Sequence, residues 1–99
     1  MERGGAIYIM TNKYKTTLYV GVTSDLKKRI YEHKNHIFKN SFTDKYNIES
    51  LIYYETFYSI EEAIAREKQL KGGSRKKKEN LINTINSEWN DLYNEIEEW

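Results

Sequence analysis

The sequence predicts a small α+β domain in which a three-stranded, mainly antiparallel sheet is flanked by helices. Residues 6–11 and 17–22 are rich in β-branched and aromatic side chains with alternating pattern, and a short polar link joins them as in a hairpin. Residues 51–57 form a third apolar segment of strand length, and four capped helical segments occupy much of the rest. The predicted order of elements is β-β-α-β-α-α-α.

The length and composition of the chain restrict its class. Its 99 residues are expected to form one domain, residues 1–99, because a second unit would be too small to bury its own core. The absence of cysteine excludes disulfides, thiolate zinc sites and a cysteine nucleophile. Charged residues make up 31% and no apolar run approaches the ~20 residues that span a bilayer, so a cytosolic, bacterial-type protein is expected.

Alternation in the first two strands puts two tyrosines on one face of the sheet. Tyr8 and Tyr19 both point away from the face that receives the branched aliphatic side chains of their strands. A hairpin that pairs Thr11 near Thr16 sets Tyr8 directly across from Tyr19, where side chains on one face meet. A slip of one residue would undo this pairing.

Serines stand before the predicted helices: Ser24, Ser59, Ser74 and Ser87. The first helix is predicted over residues 25–38, and residues 39–49 are predicted to form a loop. Ser59 and Glu62 form a capping box for a second helix that reaches about residue 70. A third helix is expected to reach about residue 85, and a fourth carries apolar residues at helical spacing as far as Ile96.

Three side chains that are charged or titratable fall on the apolar stripes of the first two helices. Arg29 and His33 lie three and seven residues after Leu26, and Glu67 lies four residues after Ala63. Burying a charge costs several kcal/mol unless it is paired or faces water. Spacing alone allows an inward Arg29–Glu67 ion pair with a structural histidine, or one cleft lined by all three side chains.

The net charge of +1 conceals a basic block and an acidic tail. Residues 66–79 hold seven Lys or Arg against two Asp or Glu, a balance of +5, and residues 80–99 hold five acidic and no basic side chains. The block is either a solvated helix face or the footprint of a polyanion. The candidate phosphate contacts are Lys71, Arg75, Lys76, Lys77 and Lys78.

The motifs in combination resemble the GIY-YIG nuclease superfamily. The residues that carry the resemblance are AIY at 6–8, YVG at 19–21, LKKR at 26–29 with His33, AIAREKQL at 63–70, and Asn86 before Ser-Glu-Trp. The likeness covers about residues 5–93. Ala6 replaces the first glycine of the motif and Val20 replaces its isoleucine, and neither change removes a chemical group. Ser87 stands where proline is usual, a change that loosens the start of the last helix.

The resemblance implies hydrolysis of DNA phosphodiester bonds with one divalent metal ion, Mg²⁺ or Mn²⁺. It extends to the N-terminal nuclease domain found in excinuclease ABC and to certain homing endonucleases, which implies DNA repair or recombination. The implied catalytic residues are Tyr8, Tyr19, Arg29, His33, Glu67 and Asn86. Glu67 is the implied metal ligand, since a carboxylate is the hard oxygen donor that Mg²⁺ prefers.

Tyr8 is the preferred candidate to take a proton from the attacking water. An ordinary tyrosine pKa near 10 leaves about 0.1% ionised at pH 7. Arg29, the metal or His33 would therefore have to offset roughly 4 kcal/mol through charge or hydrogen bonding.

The basic block implies salt-sensitive, structure-biased DNA binding with little sequence specificity of its own. Sequence specificity would have to come from a protein partner. Two other classes of function stay open. One is a noncatalytic nucleic-acid-binding module that retains the fold, and the other is an interaction domain whose acidic helix docks a partner. The complete set of implied catalytic groups favours the nuclease.

Overall fold

The structure, a computed structural model, describes residues 4–99. Its elements are β1 (Gly5–Asn12), β2 (Leu18–Thr23), α1 (Leu26–Lys34), α2 (Phe42–Lys45), β3 (Ile48–Phe57), α3 (Ile60–Lys71), α4 (Arg75–Asn83) and α5 (Tyr93–Ile96). No helix among the described residues is both long and apolar enough to span a membrane.

The sheet has the strand order β2-β1-β3 with both pairings antiparallel, which confirms the predicted three-stranded α+β architecture. The central strand β1 is buried along nearly its whole length, so its alternating side chains contribute to two cores. Tyr8 and Met10 join one core with α1 and α5, and Ile7 and Ile9 join the other with α3 and α4. We call these two sides of the sheet the Tyr8 face and the Ile7 face.

The register between β1 and β2 differs from the predicted one by two residues. Tyr8 pairs with Gly21, and Tyr19 pairs with Met10, so the prediction that the two tyrosines are directly opposed is wrong. Because the shift is even, both tyrosines still lie on the Tyr8 face. Their ring centroids are 6.2 Å apart, which makes them diagonal neighbours.

The turn between β1 and β2 explains this register. The side-chain oxygen of Asn12 accepts hydrogen bonds from the backbone N–H groups of Thr16, at 2.9 Å, and Thr17, at 3.1 Å. These bonds hold both threonines in the turn, so the first pair of the hairpin joins Thr11 to Leu18. The longer turn moves every later residue of β2 along β1.

Helix α1 begins and ends at different residues from those predicted. Asp25, and not Ser24, caps it, since its carboxylate accepts a hydrogen bond from the backbone N–H of Lys28 at 3.2 Å. The helix ends at Lys34, four residues earlier than predicted. His36 then takes a φ of 52°, which lies in the left-handed region and cannot continue a right-handed helix.

The predicted caps of α3 and α4 are confirmed. The hydroxyl oxygen of Ser59 accepts from the backbone N–H of Glu62, and that of Ser74 accepts from the backbone N–H of Lys77, each at 3.2 Å. Ile64, next to buried Ala63 on α3, lies at the edge of the apolar stripe of this helix and is 38% exposed.

Two short helices differ from the sequence prediction. The segment 39–49, which the sequence predicts as a loop, contains α2, and Ser41 caps this helix. Ser87 caps no helix, because Trp89 has a φ of 56° and interrupts the helical run. The last helix therefore begins only at Tyr93 and has four residues.

Candidate active site

The phenol ring of Tyr8 crosses the neighbouring strand directly above Gly21. A Cβ atom built on Gly21 would lie 2.3 Å from the Tyr8 hydroxyl oxygen, far inside van der Waals contact. Any other residue at position 21 would therefore displace the ring. Tyr8 is 1% exposed and its hydroxyl is held near the edge strand β2.

A chain of hydrogen bonds runs from Tyr8 into α2. The Tyr8 hydroxyl lies 2.9 Å from Nε2 of His33, and Nδ1 of the same ring lies 2.8 Å from the hydroxyl oxygen of Thr43. All three side chains are buried. In the tautomer whose Nδ1–H donates to Thr43, Nε2 is left to accept the proton of Tyr8. Thr43 gave no sequence signal because it lies in the segment predicted as a loop.

Burial and charge set the protonation states of the hydrogen-bonded side chains Tyr8 and His33. Desolvation, together with the nearby positive charge of Arg29, lowers the pKa of His33 to about 4, so the imidazole is neutral at pH 7. Desolvation raises the pKa of the Tyr8 phenol, and the neighbouring Tyr19 raises it further, while Arg29 offsets part of the rise. Arg29 therefore lowers the pKa of the Tyr8 phenol, as expected, but by less than burial raises it.

Tyr8, Tyr19, His33 and Thr43 contact one another and form the candidate catalytic cluster. Arg29 lies at the rim of this cluster with about a third of its side chain exposed. Its guanidinium is 3.4 Å from the Glu32 carboxylate and 5.0 Å from the centre of the Phe38 ring. It also interacts with the Tyr8 phenol, which helps to raise the pKa of Arg29 against the opposing effect of burial. A planar donor group that is held but partly exposed suits the recognition of an incoming anion.

Glu67 lies on α3, which packs on the Ile7 face of the sheet. Its carboxylate is 15% exposed and lies 3.2 Å from Nζ of Lys71, one turn later on the same helix. Its negative charge also contributes to the raised pKa of Tyr8, less than burial and Tyr19 do. Arg29 and Glu67 each pair within their own helices, and so the alternative of a direct ion pair between them is not the one that forms.

The carboxylate of Glu67 is the candidate ligand for a metal ion at this site. Among residues 4–99, no group of three His, Cys, Asp or Glu side chains is placed to hold a metal ion together. Mg²⁺ commonly keeps several waters and binds through one or two carboxylates and a substrate phosphate. Glu67 fits that role, and the donor set does not fit an ion that stays bound without substrate.

The structure does not bring Asn86 to this cluster. Its amide nitrogen donates to the backbone oxygens of Ile52, at 3.0 Å, and Asn90, at 2.9 Å, and its amide oxygen accepts from the backbone N–H of Asn90 at 3.0 Å. Ile52 belongs to the core on the Ile7 face, opposite Tyr8. Asn86 therefore fastens the segment after α4 to β3, and we do not carry it into the candidate catalytic set.

Asn86→Ala is expected to lower the free energy of unfolding by about 2–3 kcal/mol, because it removes three hydrogen bonds, one of them to the buried backbone oxygen of Ile52. Urea denaturation followed by circular dichroism measures the change. Asn94→Ala, at an exposed position in α5, is the matched control and should be nearly neutral. Equal stability of Asn86→Ala and the parent protein would contradict the structural role.

The predicted phosphate contacts differ in how their charges are engaged. Arg75 donates to two backbone oxygens of the β1–β2 turn and pairs with a glutamate of its own helix. Lys78 donates to a backbone oxygen before α4, and Lys71 pairs with the candidate metal ligand. Lys76 and Lys77 are exposed on α4. Arg75 thus fastens α4 to the hairpin, whereas Lys76 and Lys77 project into solvent.

Comparison with known proteins adds the following findings. The profile of the family described as the GIY-YIG catalytic domain matches residues 4–80. A UPF0213 protein of Staphylococcus saprophyticus is 38% identical over 76 residues, which cover 77% of this chain and 90% of that protein. The solution NMR structure of a UPF0213 protein from Bacillus halodurans is similar with a TM-score of 0.56 and 28% identity, covering 89% of this chain and 92% of that one.

Proposed function

This chain belongs to the GIY-YIG family, and from that premise we propose that it is a metal-dependent endonuclease that hydrolyses phosphodiester bonds in DNA. The observation that carries the proposal is the convergence of groups from three other segments, β2, α1 and α3, on the Tyr8 phenol of β1. Its hydroxyl is hydrogen-bonded to His33, its ring adjoins Tyr19, and the charges of Arg29 and Glu67 both act on it.

Arg29 and Glu67 have different roles at the phosphate. Hydrolysis gathers negative charge on the nonbridging and leaving oxygens, and the exposed part of the Arg29 guanidinium can donate to them in parallel. Glu67 would hold the divalent ion, which when bound supplies stabilisation of the leaving oxygen. Lys71 would then exchange its pairing with Glu67 for a contact with the DNA phosphate.

Tyr8 acts as the general base and passes its own proton to His33. Its raised pKa keeps the phenol protonated at rest, so it must lose its own proton as it takes one from the attacking water. His33 is neutral at pH 7 and its Nε2 is the acceptor for the phenol proton. Thr43 holds the ring in the orientation that this transfer needs.

The exposed lysines of α4 provide contacts with the DNA backbone in this proposal. Exposed Lys76 and Lys77 contact the phosphate backbone, so duplex affinity should fall steeply between about 50 and 200 mM salt. Such contacts carry no sequence information, and a protein partner would supply specificity. Bacterial DNA repair or recombination in the cytoplasm is the setting in which such a nuclease would act.

Supercoiled plasmid DNA should be nicked in the presence of Mg²⁺ or Mn²⁺ and stay intact in EDTA. The assay is extended to duplex, flap, branched and single-stranded oligonucleotides, since the proposal includes structural bias. Arg29→Ala should remove the activity, because it deletes the donors aimed at the phosphate. DNA binding without cleavage of any substrate, at any metal concentration, would favour a noncatalytic binding module instead.

A further inference from the structure

An open cleft of about 390 Å³ lies beside the candidate active site, along the outer edge of β2. The lining residues are Leu18, Tyr19, Val20, Phe42, Lys71 and Lys78. The cleft therefore combines an apolar wall with two lysines and shares Tyr19 with the catalytic cluster.

Phe42 forms an aromatic platform in this cleft. Its ring stacks on that of Tyr19, with centroids 5.8 Å apart and an angle of 26° between the planes. The centroid of the Tyr46 ring lies 4.7 Å from that of Phe42. Phe42 is nevertheless 46% exposed. The next residue, Thr43, turns inward to His33, so α2 presents one side chain to the catalytic cluster and the other to solvent.

The two lysines add positive charge to the same cleft. Lys71 is half exposed beside Glu67, and Lys78 reaches the cleft from α4. An aromatic side chain available for stacking, combined with cationic groups that follow a phosphate backbone, is the arrangement by which proteins hold single-stranded nucleic acid. The bases of an intact duplex are stacked inside the helix and cannot reach such a platform.

We propose that this cleft binds an unpaired nucleotide next to the phosphate that is cut, with its base stacked on Phe42 and its phosphates against Lys71 and Lys78. The position next to the cleaved phosphate rests on the proposed nuclease function, whereas the binding site itself rests on the contacts described above. It identifies the substrate class as DNA with a single-stranded segment, such as a flap, a gap or a loop. The ring of Tyr19 links the bound base to the catalytic cluster.

Phe42→Ala should weaken the binding of single-stranded DNA roughly tenfold, because the stacking of one base is lost. Its affinity for duplex DNA of the same sequence should stay unchanged, since the duplex contacts are electrostatic. Fluorescence anisotropy in EDTA, with a labelled thymidine oligonucleotide and its duplex, measures both affinities without cleavage. Phe42→Trp should keep the preference for the single strand, and Tyr14→Ala, which removes an exposed aromatic ring on the β1–β2 turn, is the control.

Phe42→Leu guards against a folding effect, because it keeps apolar bulk and loses the stacking surface, and it should behave as Phe42→Ala does. Equal weakening of single-strand and duplex binding, or none at all, would overturn the base-stacking site. The nicking assay on the parent protein decides the nuclease proposal separately. Loss of single-strand preference in Phe42→Ala, with no nicking by the parent, would leave the cleft as a binding site and remove the nuclease.

Discussion

Glu67→Gln is expected to lower the rate of metal-dependent nicking by roughly 10³-fold or more. The amide keeps the size of the carboxylate but is a poor ligand for Mg²⁺, and loss of the ion removes several kcal/mol of charge stabilisation from the transition state. Plasmid nicking at saturating metal, with initial rates, measures the effect.

Binding separates this loss of chemistry from a loss of structure. Glu67→Gln also frees Lys71 from its ion pair, so its affinity for DNA in EDTA should equal or exceed that of the parent protein. Glu61→Gln, an exposed position at the start of the same helix, makes the same change in charge and should cleave normally. Metal-dependent cleavage that survives Glu67→Gln would place the metal elsewhere or identify a contaminant.

Tyr8→Phe should reduce the rate of cleavage by about 10²–10⁴-fold, the range expected when a general base is removed. The ring still fills the space above Gly21, but His33 loses the hydroxyl group bonded to its Nε2. The parent rate should hold as the pH falls through 6.5, the ordinary pKa of histidine, because the lowered pKa of His33 keeps the imidazole neutral until the pH approaches 4. Single-turnover rates across that pH range measure both effects.

Two other tyrosines provide controls for this substitution. Tyr53→Phe removes a hydroxyl group that is bonded to Glu55 and belongs to the Ile7 face, so it should not change the rate. Tyr19→Phe tests the second motif tyrosine, whose ring adjoins both Tyr8 and His33. Full activity in Tyr8→Phe together with an inactive Tyr19→Phe would assign the base to Tyr19.

Local patterns in the sequence determined most of the architecture. Alternation assigned Tyr8 and Tyr19 to one face, and the serines before α3 and α4 marked their first turns, because both features depend only on neighbours a few residues away. The order and spacing of the motifs indicated the family, which the profile match confirms. None of these inferences required knowledge of which distant segments meet.

The tertiary structure decided the features that depend on such meetings. The Asn12 turn set the register, the contact with Ile52 made Asn86 structural, and α2 supplied both Thr43 and Phe42 from a segment with no helical signal. Burial is a property of the assembled core, so the direction of the Tyr8 pKa could not be obtained from residue types alone. Desolvation and register arise from contacts between distant segments, and the one-dimensional pattern records neither.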